Sequence, residues 1–170
     1  MNKEKMLQLA DFLYNLDESR FNMGYWYGQY DDDGDNLCQA NSIDLDNCNT
    51  VACIAGWAVA LETNGEYVMQ DYFDGKLAEK AQEILDLSRD EADMLFYTNS
   101  GSIWLQYAND LGIDYYYEDG YRYLHQDEDI TAKDASFVLR QLVNGEMFFN
   151  HSDDEDDDDI EDDYFICYEF

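Results

Sequence analysis

Forty Asp and Glu residues stand against nine Lys and Arg in this 170-residue chain, a formal charge of −31. Any fold it adopts must keep nearly all of those carboxylates in water and build its interior from what remains. What remains suffices: 46% of the residues are hydrophobic and 16% aromatic, material for the core of one domain and too much for a wholly disordered chain. The charge also opposes direct binding to nucleic acid or to an anionic membrane. The longest uninterrupted apolar run, Val51 to Leu61, has eleven residues, against the roughly 20 that span a bilayer, so no transmembrane helix is expected. The opening Met1, Asn2, Lys3, Glu4, Lys5 lacks the apolar stretch of a secretory signal, which points to a cytoplasmic location. Four cysteines, Cys38, Cys48, Cys53 and Cys167, are then expected as reduced thiols.

The charge is unevenly written along the chain. From Asp153 to Asp163 ten of eleven positions are acidic, a block that repels itself and stays solvated. Residues 1–150 therefore read as an acidic helical domain and residues 151–170 as an acidic tail with an apolar end. That end, Tyr164, Phe165, Ile166, Cys167, Tyr168 and Phe170, is apolar enough to dock and to turn the acidic run into a tethered loop. Without the tail the body is still acidic, by about −20 on the same formal count.

Periodicity predicts a mainly α, α+β domain. Met6, Leu9, Ala10, Leu13 and Leu16 recur at helical spacing over residues 3–17, with Asn2 as cap. Residues 47–61 offer an Asn or Thr cap and then apolar residues all round, as in a central helix buried on every side. Gly56 in its middle costs about 1 kcal/mol of helix propensity, which makes sense if another backbone packs close there. A helix over 76–87 places Leu77, Ala81, Ile84 and Leu85 on one face. Ser88 and Glu91 form a capping box that opens the next, to about Tyr97, with Leu87 and Ala92 as a hydrophobic staple. Trp104, Tyr107, Ala108 and Leu111 predict a helix from Ser102 to a stop at Gly112, and Thr131 with Asp134 caps a last one ending at Asn144 and Gly145. Between these two, residues 113–124 read as a hairpin turning at Asp119 and Gly120.

Three runs carry a resemblance: Cys48, Asn49, Thr50, Val51, Ala52, Cys53, Ile54, Ala55, Gly56, Trp57, Ala58; Leu85 to Ser88 with Glu91, Ala92, Leu95 and Phe96; and Ile130, Thr131 with Asp134, Ala135, Val138, Leu139 and Leu142. Together they resemble a family of small helical bacterial and phage proteins. The resemblance implies a helical fold and such an origin, and no activity. The chain departs from that pattern in acidic insertions at 31–46 and 114–129 and in its tail. In overall charge it also resembles phage DNA-mimic anti-defence proteins.

Catalytic and metal chemistry find little footing. Asp31, Asp33 and Asp35 alternate like the first ligands of a calcium loop, but Asn36 stands where that loop needs Gly and Ser42 where it needs a bidentate Glu. Cys38, Cys48 and Cys53 have spacings that could hold zinc, yet no histidine is close in sequence, and Cys53 falls on an apolar face. With only His125 and His151 available as imidazole bases, and no phosphate-binding glycine loop, neither an enzyme nor a cofactor is expected. The tyrosines admit two readings. Tyr25, Trp26, Tyr27 and Tyr30 before the first insertion, and Tyr115, Tyr116, Tyr117, Tyr121 and Tyr123 within the second, are either core or a protein interface.

The expectation that follows is a DNA-mimic inhibitor, phage-encoded, filling the basic DNA-binding groove of a host restriction, CRISPR or recombination nuclease. An acidic chaperone or adaptor for a basic protein is the alternative. The expected partner is a basic DNA-binding protein of the host, with no membrane or direct nucleic-acid contact and a homodimer left open. The partner-binding residues would be Asp31, Asp32, Asp33, Asp35, Asp44, Asp46, Asp114, Glu118, Asp119, Asp127, Glu128, Asp129, Asp153, Asp154, Glu155, Asp156, Asp157, Asp158 and Asp159, with Tyr115, Tyr116 and Tyr117.

Overall fold

The computed structural model describes residues 1–31, 34, 36–70, 75–99, 101–118, 121–124 and 130–149. Helix α1 (Lys3–Asn15) starts as expected, with the Asn2 side chain accepting from the Lys5 N–H at 3.2 Å. It buries Met6, Leu9, Ala10 and Leu13. A single 3-10 turn, Glu18–Arg20, leads into β1 (Gly28–Tyr30), which lies between β2 (Leu37–Gln39) and β3 (Thr50–Val51) in an antiparallel sheet of order β2-β1-β3. Helices α2 (Ile54–Glu62), α3 (Lys76–Leu85) and α4 (Arg89–Phe96) follow. Two single turns come next, α5 (Ile103–Gln106) and α6 (Ala108–Leu111), then a hairpin of β4 (Tyr115–Glu118) and β5 (Tyr121–Leu124), and α7 (Ala132–Asn144). The domain is mainly helical with two small antiparallel sheets, an α+β arrangement.

The central helix is present, but it starts later than its sequence suggests. Thr50 does not cap it. Its hydroxyl donates instead to the carbonyls of Asp44 and Asn47 (2.8 and 2.7 Å), and Thr50 and Val51 pair with Gln29 and Gly28 as β3. Cys53 is the cap, its sulfur accepting from the Gly56 N–H at 3.5 Å while its own N–H donates to the Tyr25 carbonyl at 2.8 Å. From Ile54 to Ala60 every residue is buried. Gly56 meets the expected close backbone: a Cβ there would overlap the Trp26 carbonyl oxygen and lie 2.8 Å from the Ala52 Cβ.

Around α2 the other helices close the core. α1 and α7 run antiparallel, tied by the buried Ser136 hydroxyl donating to the Ala10 carbonyl (2.7 Å) and by Lys3 Nζ donating to the Val143 carbonyl (3.0 Å). Lys5 with Glu62 and Arg140 with Asp11 make ion pairs across helices. The predicted capping box of Ser88 with Glu91 forms, the cap expected of Thr131 with Asp134 forms as a second box, and Gly145 ends α7 in the left-handed conformation at φ 73°. The helix expected from Ser102 to Leu111 breaks in two at Tyr107, whose φ of −109° leaves the helical range. The Tyr107 hydroxyl there accepts from the Phe148 N–H at 3.1 Å, pinning the end of the described chain to this junction. No helix among the described residues is long and apolar enough to cross a membrane.

Candidate acidic interface

All nine basic residues lie outside residues 21–75, a stretch that holds ten Asp and Glu. This stretch builds the three-stranded sheet, its loops and the buried α2. The bases sit on α1, the 3-10 turn, α3, α4, α7 and the hairpin; two of them reach into this stretch, Lys5 to Glu62 and Arg20 to the Asp44 loop, while Asp44, Asp46 and Glu66, the described exposed acids in the loops of the sheet lobe, come from a stretch of sequence without bases. Sequence reasoning passed over this signal because it counted acids and ignored where the bases were missing.

Within the lobe, local hydrogen bonding fixes the acids. Asp31 ends β1; its N–H donates to the Asn36 carbonyl (2.9 Å) and its carboxylate accepts from the Asn36 amide (2.6 Å), which closes the turn into β2. Asp44 opens the loop to β3, its carboxylate accepting from the Asp46 N–H at 3.0 Å and leaving both residues exposed. Arg20 reaches this loop from inside and is occupied there: Nε donates to the Thr50 carbonyl and Nη2 to the Leu45 carbonyl (both 3.3 Å), while the guanidinium lies 5.1 Å from the centre of the Trp57 ring. Its donors thus serve backbone carbonyls. Glu66 joins the same surface because the loop after α2 packs on the Asp44 loop, with Met69 N–H donating to the Asn41 carbonyl (2.7 Å) and Ser42 bridging Val68. The left-handed Gly65 (φ +75°) makes that approach; a Cβ there would stand 3.1 Å from the Ile43 carbonyl oxygen.

Asp114 and Glu118 fall elsewhere. They flank Tyr115–Tyr117 on β4, and no strand pairing joins this hairpin to the three-stranded sheet among the described residues. The proposed acids are therefore divided between two places, Asp31, Asp44 and Asp46 in the lobe and Asp114 and Glu118 on the hairpin, all exposed except the half-buried Asp31. Asp32, Asp33, Asp35, Asp119, Asp127, Glu128, Asp129 and Asp153–Asp159 lie outside the described residues, as does the docking expected of the apolar chain end.

The two groups of tyrosines part company. Tyr27 is fully buried, Trp26 packs edge-on to Tyr97 with ring centres 5.5 Å apart, and the Tyr25 hydroxyl donates to the Leu37 carbonyl at 3.5 Å. The first group is core and sheet packing. Burial pushes the Tyr27 hydroxyl well above the usual tyrosine range, with Cys53 and Tyr67 adding to the effect. Three of the hairpin group face water, Tyr117 at 67% exposure, Tyr116 at 38% and Tyr123 at 37%, while Tyr115 is half-buried against the core.

The three described cysteines lie in different settings. Cys38 is exposed on β2, Cys48 is exposed in the following loop, and Cys53 is buried as a helix cap. Among the described residues no group of three or more His, Cys, Asp or Glu is placed to hold a metal ion. Burial pushes the Cys53 thiol up to about 11, so it is no nucleophile at neutral pH. Comparison with protein-family models, curated proteins and solved structures finds no match.

Proposed function

We propose that the protein is a non-catalytic DNA mimic, phage-encoded and acting in the host cytoplasm, which occupies the basic DNA-binding groove of a host defence or DNA-processing enzyme. The observation that carries this reading is a net charge of −31, about −20 of it on residues 1–149, with the exposed acids Asp44, Asp46 and Glu66 on a stretch of sequence without bases. Duplex DNA carries one charge per roughly 1.7 Å, so as many charges occupy about 53 Å of duplex. A compact domain of this length is roughly 40 Å across, from a radius of gyration near 15 Å. The two charge densities are comparable. A basic groove would release its bound anions to either, and association would be fast and strongly salt-dependent. Carboxylates held by short turns, such as Asp31 by Asn36 and Asp44 by the Asp46 N–H, lose less entropy on docking than those of a free acidic chain.

The acidic run at 153–163 favours a second reading, an acidic chaperone that shields a basic protein through its tail. One experiment separates the two. The full chain and a variant lacking residues 153–170 are used to capture partners from a bacterial host lysate at low and moderate salt, with elution by duplex DNA. Mimicry predicts that both forms capture the same DNA-eluted enzyme. A truncated form that captures nothing supports the chaperone, and recovery of ribosomal and other generically basic proteins alone rejects a dedicated target.

A further inference from the structure

Helices α1 and α7 present a face unlike the rest of this acidic chain. Residues 3–20 and 132–144, which form the two helices and the 3-10 turn after α1, hold five bases and five acids, a net charge of zero. Two aromatic side chains stand out of that face, Tyr14 on α1 at 59% exposure and Phe137 on α7 at 43%. Ion pairs cross between the helices to either side of them: Asp11 with Arg140, and Glu18 of the 3-10 turn with Lys133 at 3.9 Å. Tyr14 falls between Asp11 and Glu18 in the chain, and Phe137 between Lys133 and Arg140, so the antiparallel helices bring the two rings to one level. The row on the α1 side is then acid, ring, acid, and the row on the α7 side base, ring, base.

Such a face fits its own image. A two-fold axis lying in it, parallel to the helices and midway between them, lays α1 over α7 of a second copy at the same level. Asp11 then meets Arg140 of the second copy, Glu18 meets Lys133 and Tyr14 meets Phe137, each contact being made twice. Rings at the centre with charges at the rim are the ordinary build of a protein interface. The acidic lobe of one copy repels that of another, whereas this neutral face lets two copies touch at little electrostatic cost. We infer that the α1–α7 face is the contact of a symmetric dimer of this chain. It holds whatever the acidic lobe binds, since α1 and α7 carry none of the acids assigned to that interface. Two helices of 13 residues, each about 20 Å long and about 10 Å apart, offer roughly 400 Å² per copy. The pair therefore buries about half of a standard interface, and the dimer is weak. The remaining charge of each copy opposes it until salt screens that charge, the Debye length of about 8 Å at physiological ionic strength being far below a molecular diameter of roughly 40 Å. Association tightens with salt, the opposite of what binding to a basic partner does.

Sedimentation equilibrium of the full chain tests this. From about 10 to about 500 μM the parent should pass from monomer towards dimer, and it should associate at least threefold more tightly at about 0.5 M salt than at about 0.05 M. Tyr14→Gln combined with Phe137→Gln, both at exposed helical positions, should leave a monomer, and thermal melting checks that it is folded. A second measurement separates contacts between copies from the ion pair within one. Asp11→Arg and Arg140→Glu each set like charges opposite one another in the dimer, so each alone should stay monomeric. An equimolar mixture of the two restores both contacts and should associate as the parent does. A parent that stays monomeric at the highest concentration and salt overturns the dimer, as does association that weakens with salt. A double glutamine variant that melts normally and associates like the parent also overturns it, and so does a mixture that stays as monomeric as its components.

Discussion

At Gly56 the backbone of α2 lies against the Trp26 carbonyl, with no room for a Cβ. Neither neighbour can yield cheaply, because one is backbone and the other, Ala52, is fully buried. Gly56→Ala should gain helix propensity locally yet destabilise the domain by about 3 kcal/mol, as overpacking does, read as a fall in the urea midpoint. An unchanged midpoint would mean that the two segments separate more easily than they pack here. Cys53, three residues earlier, carries a pH dependence. Its thiol rises from 9.0 to about 11 in the fold because burial disfavours the thiolate. The folded chain therefore holds this proton more tightly than the unfolded one, and the associated stability is complete below about pH 9 and is lost as pH climbs towards 11. Urea midpoints should fall across that window, and less steeply in Cys53→Ala; parallel curves for the two proteins would refute the assignment. Gly56 was legible in the sequence, since a glycine amid apolar helical residues has few other reasons to be there. Cys53 as the cap was not, because Thr50 and Asn49 are better caps by chemistry and only the pairing of β3 with β1 takes them away.

Helices announced themselves wherever local chemistry was decisive. Ser88 with Glu91 and Thr131 with Asp134 satisfy donors within one turn, and such contacts are written in four consecutive residues. Ser88→Ala and Thr131→Ala should each cost about 1 kcal/mol, measured by chemical denaturation; a cost near zero for either would show that its helix is held by packing alone. The three-stranded sheet stayed hidden. Its strands have three, three and two residues, too few for an alternating pattern to register, and Thr50 and Val51 merge in sequence with the apolar run that follows. Tyr107 illustrates the converse: its helical spacing with Trp104, Ala108 and Leu111 is real, but the tie from its hydroxyl to Phe148, 41 residues away, accompanies a break between α5 and α6 that periodicity cannot see.

Over the whole molecule, the placement of charge should matter beyond its amount. Converting Asp31, Asp44, Asp46 and Glu66 to their amides removes four charges from the stretch of sequence without bases. Converting Glu4, Glu79, Glu83 and Asp90 removes four from the helices that also carry bases. Competition against duplex DNA for a captured target should fall at least tenfold in the first variant and by less than threefold in the second, with both keeping their helical circular dichroism. Equal losses would reduce the interface to net charge. The sequence by itself determined that the chain is acidic, that it can fill a core, which segments are mainly helical and where the caps of α1, α4 and α7 lie, because each of these depends on composition or on contacts within a few residues. The tertiary structure alone decided which of the described tyrosines are buried and which face water, where the central helix begins, and that the loop after α2 lies against the Asp44 loop. Those outcomes depend on pairings between segments distant in the chain, β1 with β3 and the loop after α2 with the Asp44 loop, whose partners no local pattern specifies.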